Sequence, residues 1–307
     1  MRIDARYCSL CNPLFNMAEL PLSTEPLPPS VYLTEPLPDL AAWKRYFLET
    51  EIPVMVETSR ALEELREKED DVDAGMLAAI VERDPLMMVK VLALVAGRRR
   101  NTESTGTETI VSSLVMMGVS PFFRHFGPQR TVEEHLSAQP DALLGVQKLI
   151  KRAERAAHFA TGFAVHRLDT DVEVIRQAAF LHDFTEILMW CHAPTMQLEI
   201  NAMQKSNPTL RTSNLQRFVF HIDLNDLRQE LMKHWNFPEL LIRISDGKHP
   251  DHPIVRNVEL AVRLARHTEN GWDNAALPDD IEDISQLLNA SARVTRGFVY
   301  KIDQARE

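Results

Sequence analysis

The sequence lacks the features of disulfide-stabilised, membrane-spanning and nucleic-acid-binding proteins. Three cysteines in 307 residues are too few for a disulfide framework and favour a reducing compartment. No apolar run reaches the roughly 18 residues that a transmembrane helix needs, and residues 1–6 contain no apolar signal-peptide core. A net charge of −10 argues against binding to nucleic acid, which requires a cationic surface. We therefore expect a cytoplasmic protein with neither a membrane nor a nucleic-acid partner.

Glycine is also scarce, and the sequence is rich in residues that favour helices. Only ten glycines occur, and from Leu40 onward the apolar residues recur with the 3.6-residue period of an amphipathic helix. The pattern predicts a helix over 74–83, a new helix capped by Asp84 with Pro85 in its first turn, and one helix over 281–304. With no alternation of strands and helices and no fixed-period repeat, the sequence predicts an all-α fold.

The second half of the chain contains a long helix that is rich in alanine. This helix is predicted to run from Lys148 to Arg167, with the alanines on one face. Residues 170–173 have the pattern of a capping box, which predicts the start of the next helix. That helix is expected to carry His182 on one side and to end shortly before Pro194.

Proline is concentrated near the N-terminus. Seven prolines lie within residues 12–38, which excludes a regular helix and favours an extended or polyproline arm. Its Leu-Pro pairs could lie on the body of the protein or on a partner. We predict an N-terminal extension over 1–39 and a helical domain over 40–307, with lobes over 40–147 and 148–307.

The adjacent pair His182-Asp183 is the strongest indication of chemistry. Two ionisable side chains in an apolar helical segment are costly unless they are paired or hold a metal. An imidazole nitrogen and a neighbouring carboxylate oxygen can share one divalent cation, as in the HD-type metal phosphohydrolases. No serine-protease-type motif, P-loop or glycine-rich dinucleotide fingerprint accompanies the pair.

The chain resembles the HDOD domain family from about Ile52 to His267. The resemblance rests on four blocks in order, namely 77–94 with its Asp-Pro pair, 110–118, His158 followed by 178–183, and 231–238 with its Trp and Pro. It implies an all-α, HD-like, multi-helix domain of a bacterial signalling protein. Such domains act beside response-regulator or cyclic-dinucleotide modules. None is fused to this chain, so the resemblance implies a partner in trans.

Several departures from the family pattern affect the expected site. Thr185-Glu186 replaces a Gly-Lys pair, and Ala96-Gly97 replaces an Asn-Ser pair. Leu224 stands where the family has a histidine, and Val262 stands where catalytic HD enzymes keep a late aspartate.

We therefore interpret His182 and Asp183 as a mainly structural pair with no catalytic role and no cofactor. His182→Ala should then destabilise the fold by roughly 1–3 kcal/mol, because a buried polar partner loses its hydrogen bond. The alternative is a metal-dependent phosphohydrolase with His182 and Asp183 as catalytic residues and a divalent metal ion bound by His158, His182, Asp183 and Glu186. Glu154 is a further carboxylate that could act as a ligand.

A second candidate site is a stripe of four basic residues on one helix face. Their spacing of i, i+3, i+4 and i+7 places Lys148, Lys151, Arg152 and Arg155 together. The ordinary interpretation is a solvated face, and the alternative is docking of an acidic partner or of a nucleotide phosphate. Reversing the charges of Lys151 and Arg152 is expected to leave stability nearly unchanged and to weaken partner capture.

Cys8 and Cys11 have the spacing of half a zinc knuckle, but no second pair is present, so we interpret them as incidental. Taken together, the sequence predicts a non-catalytic signalling or regulatory module that binds a signalling protein in trans or a small ligand. A metal-dependent phosphohydrolase and a nucleotide sensor are the alternatives.

Overall fold

Helices form almost all of the regular structure in the computed structural model, which describes residues 32–99, 109–207, 209–247, 249 and 251–305. Within these residues the only β-structure is an isolated parallel bridge between Val54 and Thr131. The predicted all-α class is confirmed. None of the described helices combines the length and apolar character needed to cross a bilayer. The helices are α1 Leu40–Glu49, α2 Val56–Arg66, α3 Ala74–Val81, α4 Pro85–Arg99, α5 Ile110–Met117, α6 Val119–His125, α7 Val132–His135, α8 Pro140–Arg167, α9 Val172–Phe180, α10 Phe184–His192, α11 Pro194–Ser206, α12 Thr212–Phe220, α13 Leu224–His234, α14 Glu239–Ile244, α15 Pro253–His267, α16 Leu277–Leu288 and α17 Ala292–Gln304, with a short 3₁₀ turn at Glu69–Asp71.

Some helix boundaries lie where the local sequence predicts them. Asp84 caps α4 as predicted, because its Oδ1 accepts hydrogen bonds from the N–H groups of Leu86 and Met87 at 2.9 and 3.2 Å. Its Oδ2 accepts another from Met55 at 2.7 Å, so this buried carboxylate also holds the residues that precede α2. Gly118 ends α5 with φ of 80°, a conformation that glycine adopts without strain.

Other predicted boundaries are wrong. The capping box over 170–173 does not form, because α9 has no side-chain cap and Glu173 pairs with Arg176 instead. The single helix predicted over 281–304 is two helices, α16 and α17. Asn289, in the left-handed region with φ of 50°, ends the first, and Ser291 caps the second.

Helix α8 lies at the centre of the molecule. It begins at Pro140, eight residues before the predicted start at Lys148, and so it crosses the predicted lobe boundary between 147 and 148. Helices α9, α10, α15 and α17 pack around it. Its alanine face is buried as predicted, because small side chains allow neighbouring helices to approach closely; the buried alanines are Ala153, Ala156, Ala157, Ala160 and Ala164.

The described end of the Pro-rich arm lies on the body of the protein. The N–H of Leu33 donates to the carbonyl oxygen of His192 at 2.8 Å, and the hydroxyl of Tyr32 donates to that of His135 at 2.5 Å. Leu37 packs against the core. Cys8, Cys11 and the rest of the arm lie outside the described residues.

Candidate functional site: an arginine among the HD carboxylates

His182 and Asp183 lie in the turn between two helices. The prediction that His182 lies within a helix is wrong, because α9 ends at Phe180 and α10 begins at Phe184. Both phenylalanines are almost completely buried, and so is Leu181 in the turn itself. These apolar anchors hold the turn against α8, so the polar pair has a fixed position at the edge of the core.

Both carboxylate oxygens of Asp183 have close partners. The Nδ1 of His182 lies 2.7 Å from Oδ1, and the guanidinium of Arg152 donates to Oδ2 at 2.9 Å. A second guanidinium, that of Arg266 on α15, lies 3.6 Å from Oδ1. Asp183 is therefore saturated by side chains from its own turn, from α8 and from α15.

Arg152 is the centre of a buried ion-pair network. Besides Asp183, its guanidinium lies 3.4 Å from Oε2 of Glu186 and 3.5 Å from Oε2 of Glu269. Only 13% of the Arg152 side chain is exposed. One cation from α8 thus balances three carboxylates. Asp183 lies in the turn between α9 and α10, and Glu186 lies in the first turn of α10.

The surroundings shift the protonation of each group. Burial would raise the pKa of Asp183, but the Arg152 guanidinium and His182 hold it well below its usual value. Burial lowers the pKa of His182 to about 4, and nearby Arg228 adds to this effect. Burial raises the pKa of Glu186, and Arg152 offsets part of that rise. Near neutral pH, therefore, Asp183 is ionised and His182 is neutral.

The alternative set of metal ligands is not assembled. His182, Asp183 and Glu186 lie around Arg152, whereas His158 is exposed and its Nδ1 lies 2.9 Å from the carbonyl oxygen of Glu154 in its own helix. His158 follows Arg152 by six residues, which places the two side chains about 120° apart around the axis of α8, on different faces. Among the described residues no group of three or more His, Cys, Asp or Glu side chains could hold a metal ion.

A divalent cation does not fit the residues that surround His182 and Asp183. The Arg152 guanidinium bonds the same carboxylate oxygen that a metal would need, and two like charges at this distance repel each other strongly in a buried site. We therefore derive no metal-dependent step at this site.

The predicted basic stripe is not a free surface, because two of its four residues pair with carboxylates of the same chain. Arg152 points into the network, and Arg155 makes two hydrogen bonds to Asp303 and one to the carbonyl oxygen of Thr268. Lys148 and Lys151 remain exposed. Reversing the charges of Lys151 and Arg152 was predicted to leave stability nearly unchanged. Because Arg152 belongs to the network, that prediction cannot hold for Arg152.

Arg228 on α13 completes the site and is not among the residues predicted from the sequence. This arginine is almost fully buried, and it donates to the carbonyl oxygens of His182 at 2.5 Å and of Ser245 at 2.8 Å. A signal was available, because Arg228 shares one helix face with Leu224 and Leu231 at spacings of four and three. A cation on an apolar helix face needs a specific partner.

A cavity of about 320 Å³ opens beside this turn. It lies between the His182-Asp183 turn, the start of α12, the start of α13 and the turn that follows α14. The polar and charged side chains that line it include Arg152, Arg228, Arg266, Gln216, Thr212, Ser213, Asp183, Glu186, Asp223, Asp246 and Glu259.

An arrangement of helices around a His-Asp turn defines the HD-like class of helical proteins. The family model of the HDOD domain matches residues 52–250, which is more than half of the chain. The chain belongs to the HDOD domain family, and the resemblance inferred from the sequence is confirmed.

Two solved structures are similar in fold. The response regulator MmoQ from Methylococcus capsulatus str. Bath has 17% sequence identity and a TM-score of 0.62, with 82% of this chain and 99% of that chain covered. A virulence factor from Campylobacter jejuni subsp. jejuni has 17% identity and a TM-score of 0.57, with 87% and 95% covered. A search of curated proteins finds no significant match.

Proposed function

We propose that this chain is a non-catalytic regulatory module of a signalling system that binds a protein partner in trans or a small ligand. The observation that supports this proposal most directly is the position of Arg152 between the carboxylates of Asp183 and Glu186. An internal guanidinium takes the charge-balancing role that a metal ion has in an HD phosphohydrolase. The histidine-aspartate pair then stabilises a turn and shapes the adjacent cavity.

Two further observations support a role in signalling rather than catalysis. MmoQ, whose fold is similar to that of this chain, is a response regulator, and response regulators are signalling proteins. At the family positions where an additional histidine and a late aspartate are expected, this chain has Leu224 and Val262, and both are buried apolar side chains. Neither can bind a metal or transfer a proton.

The test of this proposal is metal content and hydrolysis in the full chain. We expect purified protein to contain no stoichiometric transition metal, and its melting temperature to be unchanged by added Mn²⁺ or by a chelator. We also expect no Mn²⁺-dependent hydrolysis of bis-p-nitrophenyl phosphate. His158→Ala provides a matched variant, because it removes a proposed ligand of the enzyme alternative from an exposed position and should leave the melting temperature unchanged.

The opposite result would favour the enzyme. Stoichiometric bound metal, together with hydrolysis that is lost in His158→Ala and in His182→Ala, would establish a metal-dependent phosphohydrolase and refute the regulatory proposal.

A further inference from the structure

Two buried histidines end helices α7 and α10 and lie side by side. His135 is the last residue of α7 and His192 is the last residue of α10, and the centroids of their rings are 5.0 Å apart. His135 is 6% exposed and His192 is 1% exposed, so both rings are shielded from water. The Nε2 of His135 donates to the carbonyl oxygen of Cys191 at 3.0 Å, whereas the Nε2 of His192 has no hydrogen-bond partner among the described residues.

The described end of the N-terminal arm is fixed on the same two residues. The N–H of Leu33 donates to the main-chain carbonyl oxygen of His192 at 2.8 Å, and the hydroxyl of Tyr32 donates to that of His135. The Tyr32 ring also lies edge-on to the His135 ring, with the centroids 5.7 Å apart. The last carbonyl groups of a helix have no partner within the helix. The arm therefore satisfies the C-terminal ends of both helices at the histidines themselves.

The surroundings of the pair oppose a positive charge on either ring. Burial lowers the pKa of His135 and lowers that of His192 to about 3, and the Arg130 guanidinium adds to both effects. Burial also raises the pKa values of Tyr46, whose hydroxyl lies 3.4 Å from Nδ1 of His192, and of Cys191, so both stay neutral near pH 7. The titratable and charged groups around the pair are Tyr32, Tyr46, Asp84, Arg130, Glu133 and Cys191. The two carboxylates among them accept hydrogen bonds from main-chain N–H groups.

Removal of the arm would favour protonation of the pair. A histidine that water can reach has a pKa near 6.5. Both rings also lie at helix C-termini, where the dipole and the carbonyl oxygens freed by the arm favour a cation. The released state therefore binds protons that the docked state excludes. The stability of the docked arm is fully present above about pH 6.5 and is lost as the pH falls towards 3.

We propose that docking of residues 32–38 on the His135-His192 pair is controlled by protons, so that the arm is bound at neutral pH and released under mildly acidic conditions. Release exposes the side chain of Leu37, which packs against the core in the docked form. The proposal goes beyond the proposed function and does not depend on it. The pair lies at the opposite end of α10 from the His182-Asp183 turn, and nine residues of helix correspond to about 13 Å.

Hydrogen exchange of the Leu33 amide in the full chain tests the proposal, because this N–H is bonded only while the arm is docked. Protection factors, from which the intrinsic pH dependence of exchange has been removed, are compared at about pH 7.5 and about pH 5. We expect the protection of Leu33 to fall by up to roughly 30-fold through His192, the factor for one group whose pKa rises from about 3 to about 6.5 on release. Amides of α8 report unfolding of the whole chain and should stay protected at both values.

Four variants locate the effect. His192→Gln removes the titrating group and should abolish most of the pH response, and His135→Gln should reduce it by less. His166→Gln is the matched control, because His166 also lies in the last turn of a helix but is exposed and contacts Leu288 instead of the arm. Tyr32→Phe keeps the ring and loses the hydroxyl, so protection of Leu33 should fall by roughly two- to tenfold at both pH values with an unchanged pH response.

Equal protection of Leu33 at the two pH values in the wild type would overturn the proposal. An unchanged pH response in every folded His135 and His192 variant would also overturn it, and His135→Gln decides alone if His192→Gln does not fold. Simultaneous loss of protection at Leu33 and in α8 would show that the arm does not separate before the chain unfolds, which contradicts the proposal as well. The metal and hydrolysis tests of the proposed function concern other residues, so failure of one proposal leaves the other standing.

Discussion

Arg152 shows how one side chain can change the chemistry of a whole site. Its guanidinium contacts Asp183, Glu186 and Glu269, and it is largely shielded from water. A buried ion pair adds little net stability compared with apolar residues, but removing one partner leaves an uncompensated charge. The effect of substituting Arg152 therefore depends on the carboxylates that are left buried without a counter-ion.

We predict that Arg152→Met will lower the free energy of unfolding by roughly 3 kcal/mol at pH 7, because Asp183 and Glu186 lose their main cation. Urea denaturation measures this difference. Lys151→Met is the matched control, since Lys151 is adjacent in sequence but exposed, and its stability should stay close to that of the wild type. Equal stability of the two variants would show that the network around Arg152 is not important for folding.

His182 should make the stability of the protein depend on pH. Its pKa is about 4 in the folded chain, compared with an ordinary value of 6.5. Between pH 4 and 6.5, therefore, the unfolded chain binds more protons than the folded chain. The stability that depends on neutral His182 is fully present above pH 6.5 and is lost as the pH falls through this window. Within this window the free energy of unfolding should change by about 1.4 kcal/mol per pH unit.

Comparison of the wild type with His182→Asn isolates this contribution, because other buried acids and histidines titrate in the same range. Asp183 stays ionised across the window, since its pKa lies well below its usual value. The difference in unfolding free energy between the two proteins should increase from pH 4 to 6.5 and then stay constant. A difference that does not change with pH would mean that His182 is accessible to protons in the folded state.

At the scale of elements, the close approach of α8 and α10 depends on Gly145. A Cβ atom at this position would lie 2.7 Å from the six-membered ring of Trp190, a bulky and buried side chain of α10. Gly297 in α17 also lies within a helix, but a Cβ atom there would meet nothing within 4 Å. Both glycines thus lie within helices, but a side chain would clash at Gly145 and would meet open space at Gly297.

We predict that Gly145→Ala will destabilise the protein by roughly 1–3 kcal/mol through overpacking. Gly297→Ala should stabilise it by up to about 1 kcal/mol through helix propensity and a smaller loss of backbone entropy. Thermal or urea unfolding of both variants measures the contrast. Stabilisation by Gly145→Ala would show that α8 and α10 can separate without cost.

At the scale of the whole molecule, the matched family region does not contain the complete core. The match ends at residue 250, yet α15 begins at Pro253 and packs against α8 and α9. It also supplies Arg266 to the His182-Asp183 site. The buried side chains of α15 include Val258, Leu260, Ala261, Leu264 and Ala265.

A chain that ends at residue 250 should therefore fail to unfold cooperatively and should bind a hydrophobic dye such as ANS, because the faces of α8 and α9 lose their cover. A chain that ends at residue 290 retains α15 and α16 and is the appropriate comparison. Cooperative unfolding of the shorter chain at an unchanged temperature would show that α15 is not part of the core.

Local sequence patterns determined the helical class, the family and several exact boundaries. The cap at Asp84, the stop at Gly118 and the alanine face of α8 follow from chemistry within one or two helical turns, so they could be predicted without the fold. The capping box over 170–173 does not form, because Asp171 rather than Thr170 occupies the N-cap of α9 and Glu173 pairs with Arg176.

The character of the site depended on tertiary structure. His182 and Asp183 were identified from the sequence, but their partners Arg152 and Arg266 lie about 30 and 80 residues away in the chain. Within the basic stripe of α8, nothing in the local pattern distinguishes the buried Arg152 from the exposed Lys148 and Lys151. That distinction arises only when α8, α10 and α15 pack together, because packing excludes water and leaves each buried charge to find its partner within the protein.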